Sequence, residues 1–479
     1  MEVEGELPKD LKGTLYRNGP GLMDIYGTSI EHPFDGDGKV CSVRFKEGKA
    51  IFTSKFVKTD ARVKELEEGR MLAKGLMGSV PPKTWTESLS EWFQDVSRMR
   101  LPNIRFKNVS NTNVFYWGGK LLSCWELGLP YNLDPDTLET KGKDSLGGLL
   151  PGNMGAHFRY DHETNRLITF SLQIPSFWGA TTVNFFEFDD KFNLMHEVRC
   201  PVENFYYCHD LAVTENYYIV HQTPFVNASM SYFAKVVSGL TAPGKMMKYY
   251  PEAPSRLVII PRKPTEDVKP IFIDILPCHI FHYVNAFEED NTIKLSCVCF
   301  DENMTLEFED RIWLGNSTES PGFLYDITLN LYDQSATWVK ADKASCEFPT
   351  THPNVTGKPW RFTYLMASEY PNPGIPFQEL IKIDRMDPTN RRVWSARPEG
   401  GVVGEPIFAP RVPADNTNNK DVLVEDDGYL ITQLYHYETH SSEFIVLDAA
   451  RIEAGPVCRL KLKHHTPYGF HGTFRCEEQ

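Results

Sequence analysis

VCSVRFKEGKAIFTSKFVKT (40–59) reads as one short alternating strand, a polar turn and a second strand that returns beside it. The same unit recurs, without sequence identity, in NVFYWGGKLLSCWEL (113–127), FFEFDDKFNLMHEVRC (185–200) and LYDITLNLYDQSATWVK (324–340). LIKIDRMDPTNRRVWSA (380–396) and FIVLDAARIEAGPVCRLKL (444–462) repeat it again. These units are expected to be outer-strand hairpins at blade-sized spacing. Radial repetition of four-stranded sheets is the natural home for that rhythm. The expected fold class is therefore all-β, a seven-bladed β-propeller. Six blades is the weaker count, and a pair of β-sandwiches the weaker architecture.

The chain has 479 residues, and large all-β folds commonly stay in one piece at that length. No linker-like stretch divides it, so residues 1–479 are expected to form a single domain. Aromatics make up 13%, with 33 Gly and 33 Pro, which suits short strands joined by tight turns. The net charge of −14 argues against nucleic acid, whose binding needs a basic footprint. Ten cysteines occur without a CxxC pair, so free buried thiols in a reducing compartment are expected. Five N-x-S/T sequons, at Asn108, Asn227, Asn303, Asn316 and Asn354, are read as chance. No apolar run reaches the roughly 18 residues of a bilayer span. The chain opens directly on folded-looking sequence, so any targeting segment is expected to be absent or removed. The expected location is cytoplasmic and peripheral to membranes, or plastid where a transit peptide has been removed.

Two segments break the strand rhythm. Residues 83–107 place Trp85, Leu89, Trp92, Phe93, Val96 and Met99 at helical spacing. Residues 226–250 mix Met230, Phe233, Val236, Val237, Leu240, Met246 and Met247 with Lys235, Lys245 and Lys248. Both are expected to be helical and to cap the propeller. The second also reads as an apolar patch bracketed by lysines that dips into a membrane surface.

Four histidines sit among aromatic and aliphatic neighbours that read as buried strand ends: His157 in GNMGAHFRYD, His209 in NFYYCHDLAV, His282 in CHIFHYVNAF and His471 in PYGFHGTF. Buried imidazoles need partners, and neutral imidazole is the commonest metal ligand. Separations of 52, 73 and 189 residues fit no local metal motif. In a propeller, however, inner strands of distant blades converge on one axis. Any one of these histidines alone reads as an ordinary core residue.

A run of ordered motifs gives these positions a sharper meaning. They are LYRNGPG (15–21), HPFDGDG (32–38), NTNV (111–114), WELGLPYNLDP (125–135), HDLAVTENY (209–217) and FHYVNAFEE (281–289). They continue with EFP (347–349), GEPIFAPR (404–411), VEDDGYL (424–430) and LKHHTPYGFHGTF (462–474). Over almost its whole length the chain resembles the carotenoid cleavage oxygenases, a family with apocarotenoid, stilbenoid and retinal-pigment-epithelium members.

The resemblance implies a seven-bladed propeller under a helical dome, with non-haem Fe(II) held by His157, His209, His282 and His471. His279, His464, His465 and His32 fall outside the ligand set. Three glutamates, Glu126, Glu347 and Glu405, are implied to accept the other N–H of ligating imidazoles. Four neutral ligands leave at least one octahedral position open, which suits O2 as co-substrate. Thr112 falls where many cleaving members carry a small β-branched residue, and its implied role is to occlude the sixth position. Phe158 stands where the family often has proline, which bears on the local turn beside His157.

The implied reaction is oxidative cleavage of a conjugated C=C bond into two carbonyl products. The substrate would be a hydrophobic polyene bound by apolar burial. Trp125 and Phe281 adjoin the site motifs and are the implied substrate-lining residues. Stilbene-cleaving relatives carry lysine where this chain has Trp125, which favours a carotenoid or apocarotenoid. The chain also lacks the PDPCK stretch of vertebrate members, which argues against an isomerohydrolase. A stilbenoid cleaver, a catalytically inactive propeller that binds lipids or partners, and a calcium-dependent propeller hydrolase are the competing readings. The last would need Asp/Asn ligands at the axis. No obligate protein partner is expected.

Overall fold

Lys39–Lys46 pairs antiparallel with Lys49–Phe56, so the hairpin read at 40–59 is present. Glu47 and Gly48 turn it with φ of 52° and 69°, the left-handed geometry that two-residue hairpin loops favour. The protein is described by a computed structural model over residues 1–78, 86, 90, 106–173, 181–205, 207–227, 244, 247–263, 269–300, 322–368, 376–411 and 423–477.

Seven sheets form the blades of a β-propeller. Named from the axis outward, blade 1 is Gly472–Cys476, Gly13–Arg17, Lys39–Lys46 and Lys49–Phe56. Blade 2 is Asn113–Trp117, Lys120–Cys124, Tyr131–Leu133 and Thr140–Lys143. Blade 3 is Arg159–Asp161, Arg166–Gln173, Thr181–Phe188 and Leu194–Val202. Blade 4 is Ala212–Val213, Tyr217–Gln222, Arg256–Pro261 and Ile271–Asp274. Blade 5 is His279–Glu289, Thr292–Phe300, Gly322–Asn330 and Ser335–Lys340. Blade 6 is Ser345–Thr350, Phe362–Ser368, Glu379–Asp384 and Arg392–Ser395. In blade 7, Gly401–Val403 and Ile407–Pro410 both pair with Gly428–His436, followed by Ser441–Asp448, Pro456–Lys461 and Glu2–Gly5.

All six hairpins read from the sequence are found. One sits differently from its expected place: Asn113–Trp117 and Lys120–Cys124 are the inner pair of blade 2, not an outer pair. The two ends of the chain close the ring twice. The C-terminal strand Gly472–Cys476 joins blade 1 beside Gly13–Arg17, and the N-terminal strand Glu2–Gly5 completes blade 7.

Blade interiors are covered on both faces, which explains strands that lack alternation. In Arg166–Gln173, every residue from Leu167 to Leu172 is buried. Between blades 3 and 4, Phe185 stacks on Tyr218 with ring centroids 4.3 Å apart. Burying each such side chain is worth roughly 1.5–3 kcal/mol. The free cysteines follow the same rule: nine are buried and only Cys476 is exposed.

The cap is described only in part, and Thr86 and Ser90 within 83–107 are helical, as expected. Almost all of 83–107 lies outside the described residues. In 226–250 the ends form a two-stranded antiparallel ribbon, Phe225–Asn227 with Met247–Tyr249, rather than helix. The residues between those strands, Gly244 apart, fall outside the description up to 246. An α-helix does occur at Asp60–Glu68, with the Thr59 hydroxyl accepting from Arg62 N and Gly69 closing it at φ 65°. From this helix Glu65 meets Lys107 Nζ at 2.6 Å, and Asp37 meets the same ammonium at 2.8 Å. Asp35 accepts from the Met77 and Gly78 amides, both at 3.0 Å. The acidic HPFDGDG stretch thus fastens the covering loops. His32, which begins it, caps a short 3₁₀ turn by accepting from Phe34 N.

Candidate metal centre

Four inner strands deliver four imidazoles. His471 precedes Gly472–Cys476 of blade 1, His157 precedes Arg159–Asp161 of blade 3, and His209 precedes Ala212–Val213 of blade 4. His282 lies within the first strand of blade 5. Their Nε2 atoms converge: His157 to His209 is 2.9 Å, His209 to His282 is 3.1 Å and His282 to His471 is 3.1 Å. All four residues are buried, and together they form a group that could hold one metal ion.

The outward-facing Nδ1 atoms meet carboxylates from the other three blades. Glu126, after the second strand of blade 2, accepts from His209 Nδ1. Glu347, in the first strand of blade 6, accepts from His282 Nδ1 at 2.5 Å. Glu405, in blade 7, accepts from His471 Nδ1 at 2.8 Å. Such an acceptor fixes the tautomer that leaves Nε2 free to ligate. His157 lacks an equally close partner; its Nδ1 stands 3.8 Å from Asp210 Oδ1. Every blade therefore contributes one member of the constellation, four histidines and three glutamates in all.

Two β-bulges explain how strands present these groups. The pairing of His279–Glu289 with Thr292–Phe300 slips between Ile280 and Tyr283, so Phe281 and His282 are not bound to opposite faces. Consecutive residues then reach one site: His282 supplies Nε2, and the Phe281 ring stands 5.3 Å from the His209 ring. A second slip, between Glu347 and Thr350, aims Glu347 at His282. There Phe348 adopts φ 53°, a conformation that costs a non-glycine residue about 1–3 kcal/mol. The strain places its ring 5.2 Å from His282 and 4.9 Å from His471. Gly472 is required for a different reason. A Cβ there would come within 2.1 Å of the Tyr16 carbonyl oxygen.

Electrostatics differ around the ring. Burial, reinforced by the neighbouring imidazoles, holds His157 and His471 well below the usual histidine range. Burial also works against the charged form of His209, but the Glu126 carboxylate outweighs it and the net shift is upward. Burial pushes Glu405 up to about 7 even though Arg17 pulls the other way. Arg17, itself buried, donates to Glu405 Oε2 at 3.0 Å and to the Glu405 carbonyl at 2.9 Å. The Tyr207 hydroxyl lies 3.3 Å from Glu126 Oε1, and burial followed by Glu126 keeps it protonated as a donor.

The remaining positions read from the sequence fall as follows. Thr112 is buried, its carbonyl accepting from the His471 amide at 3.2 Å and its hydroxyl 3.2 Å from Asn111 Oδ1. Trp125 is buried, but among the described residues no ring contact joins it to the four histidines. Phe158 packs on Phe115 at 4.3 Å, away from the imidazoles, so its replacement of proline leaves His157 aimed at the centre. His279 belongs to a separate buried chain through Thr223 to His221. His464 and His465 are exposed. Arg17, Tyr207, Asp210 and Phe348 were not read as site residues. Arg17 and Asp210 stood inside the quoted motifs, whereas the bulge at Phe348 has no sequence signal of its own. Glu399, His436 and Glu443 also cluster. Arg459 donates to both glutamates, at 2.9 and 2.7 Å, so that cluster already holds its cation.

The family model described as retinal pigment epithelial membrane protein matches residues 1–475. The chain belongs to this family. It is 34% identical to the apocarotenoid-15,15'-oxygenase of Synechocystis sp., over 99% of this chain and 92% of that protein. The lignostilbene-alpha,beta-dioxygenase isozyme III of Sphingomonas paucimobilis is 28% identical over 99% of this chain and 93% of its own length. A cobalt-substituted crystal structure of the Synechocystis apocarotenoid oxygenase superposes with a TM-score of 0.87 at 33% identity, covering 99% of this chain and 95% of that one. This chain is an enzyme of a family whose members include oxygenases and dioxygenases.

Proposed function

We propose that this enzyme cleaves a conjugated C=C bond of an apocarotenoid or carotenoid, with O2 as co-substrate and Fe(II) held by His157, His209, His282 and His471. The observation that carries the reading is the convergence of four buried Nε2 atoms, with neighbours 2.9–3.1 Å apart. Glutamates accept the opposite N–H of three of these rings, and burial keeps His157 and His471 neutral, so the donor set suits a divalent metal. Iron bound there would supply a redox-active centre with open coordination positions.

The chain's own residues do the rest. Glu126, Glu347 and Glu405 hold the rings of His209, His282 and His471. Thr112, whose carbonyl accepts from the His471 amide, is assigned on its motif position to block one approach to the centre. Phe281 and Phe348 present apolar ring surface beside the histidines, which excludes water and receives a polyene. Trp125 is assigned to the same wall on its motif position alone. Both atoms of O2 are accounted for: one alkene and one O2 give two carbonyl products.

The lignostilbene-cleaving relative favours a second reading, a stilbenoid substrate. Trp125, in place of lysine, weighs against it, since indole offers no charge to a phenol. A propeller that only binds lipids would have no need of three carboxylate-backed imidazoles. Peripheral membrane association rests on the composition of 226–250. Among the described residues no helix is long and apolar enough to cross a membrane. We further propose one catalytic domain over 1–479, working in the cytoplasm or a plastid.

The test is product mass spectrometry under ¹⁸O2 with a panel of apocarotenoids, carotenoids and stilbenes. Labelled carbonyl fragments from an apocarotenoid or carotenoid are expected. A panel left intact by aerobic, iron-loaded protein would overturn the oxygenase reading, and turnover of stilbenes alone would replace the substrate.

A further inference from the structure

Asp210 follows His209 directly and is buried. Its Oδ2 accepts from Arg159 Nη2 at 2.7 Å and from the Tyr283 amide at 2.9 Å. Its Oδ1 accepts from the Leu211 amide at 2.7 Å. Arg159 lies two residues after His157, and Tyr283 lies one residue after His282. One carboxylate thus joins the ligand-bearing strands of blades 3, 4 and 5. Arg159 tightens the same knot by donating to the Tyr283 carbonyl at 3.3 Å and the Phe158 carbonyl at 2.9 Å.

The position of this knot is what makes it informative. The bulge that swings His282 inward flanks Tyr283 on both sides, with slips between Ile280 and Tyr283 and between Tyr283 and Asn285. The Tyr283 amide is turned to Asp210, and a buried amide cannot be left unmet. A buried ion pair is weak evidence for stability, because apolar side chains of similar volume often serve as well. A pair that bridges three ligand strands sets their spacing, which apolar side chains cannot do with the same directionality.

We infer that Asp210, acting through Arg159 and the Tyr283 amide, is the positioning residue that fixes the mutual spacing of His157, His209 and His282. It rests on the four-histidine metal reading and adds a determinant that none of the three glutamates supplies. Those glutamates orient single rings, each from outside, whereas Asp210 ties three strands together. Arg17 plays the corresponding part at the fourth ligand, linking Glu405 to the Phe470 carbonyl beside His471.

The test uses metal-free full-length protein titrated with Co(II), reading affinity, the ligand-field absorption spectrum and the thermal midpoint. Asp210→Asn keeps the shape but can no longer accept at both oxygens. A 10–100-fold loss of Co(II) affinity with an altered spectrum is expected. Arg159→Gln should give the same spectral change, and the double variant should lose less than about twofold more, because both act as one unit. Glu187→Gln is the control for a purely structural role. Glu187 is a buried carboxylate between Arg166, Arg262 and Tyr218, and its loss should lower the midpoint without moving affinity or spectrum. Wild-type affinity and spectrum in Asp210→Asn would overturn the inference, whatever its midpoint. If that variant does not fold, Arg159→Gln is read by the same criteria. Wild-type protein that binds no Co(II) would instead bring down the metal reading and this inference with it.

Discussion

Glu126 and His209 come from blades 2 and 4, yet the carboxylate accepts the imidazole N–H across the end of blade 3. The other two pairs, Glu347 with His282 and Glu405 with His471, join neighbouring blades. The long reach needs a support, and Tyr207 provides it by placing its hydroxyl 3.3 Å from the same carboxylate oxygen. Glu126→Gln should therefore lower metal affinity on the order of 10–100-fold. Tyr207→Phe should cost less, since only the support is lost. Iron content after gel filtration checks both, and full iron in Glu126→Gln would remove Glu126 from the site.

His209, proposed as a metal ligand, places its Nε2 2.9 Å from that of His157 and 3.1 Å from that of His282. His209→Ala should abolish iron retention and activity while largely preserving the fold, because the blade cores lie away from the axis. Circular dichroism, thermal melting and metal analysis together decide this. A variant with full iron and activity would refute the assignment.

Phe281 faces the His209 ring from the bulge of blade 5. Its apolar surface should bind ground state and transition state alike, so Phe281→Ala should raise KM with little change in kcat. About a tenfold rise corresponds to ~1.4 kcal/mol of lost burial. A fall in kcat alone would show that the ring positions a ligand instead of the substrate.

Membrane association is proposed for the apolar, lysine-bracketed stretch 226–250 from its composition. Replacing Phe233, Val236 and Leu240 with serine should weaken co-sedimentation with liposomes, because insertion scales with buried apolar area. Unchanged co-sedimentation would return these residues to the propeller cap.

The blade rhythm was legible because each hairpin carries its own turn chemistry and strand pattern, from Lys39–Phe56 to Ser441–Lys461. The four histidines were legible as buried, and the motif resemblance singled them out from His279, His464 and His465. The bulges were not. A slip at Phe281–His282 or Glu347–Pro349 changes which face a side chain takes without changing residue type. The ribbon at Phe225–Asn227 and Met247–Tyr249 was not legible, because its two strands are three residues each, too short for an alternating pattern to stand out. Asp210 was missed for another reason: its partners, Arg159 and the Tyr283 amide, are brought to it only by the closed ring.

Acid sensitivity follows from the number of buried neutral histidines. Burial pushes His221 down to about 3, and burial with help from His162 pushes His352 down to about 4. Burial also lowers His157, His279 and His471 well below the ordinary value, and His162 by less. An unfolded histidine titrates near 6.5. Below about 6.5 the unfolded chain therefore binds protons that the folded chain refuses, and stability falls as pH falls. His209, raised by Glu126 against its burial, and Glu405, pushed by burial up to about 7, have the opposite sign. Their contributions are present at low pH and lost as pH rises through the folded values, but two such groups stand against six. Asp134 and Asp384, held at about 2 chiefly by hydrogen bonds from Thr137 and Arg361, add a loss of the same sign only below about pH 4. Between pH 6.5 and 5 each strongly lowered histidine should cost up to about 2 kcal/mol. The thermal midpoint of metal-free protein should accordingly drop across that window. His221→Gln and His352→Gln, both outside the metal centre, should each flatten the slope. A midpoint that holds steady or climbs from pH 7 to 5 would show that these histidines are not buried in the neutral form.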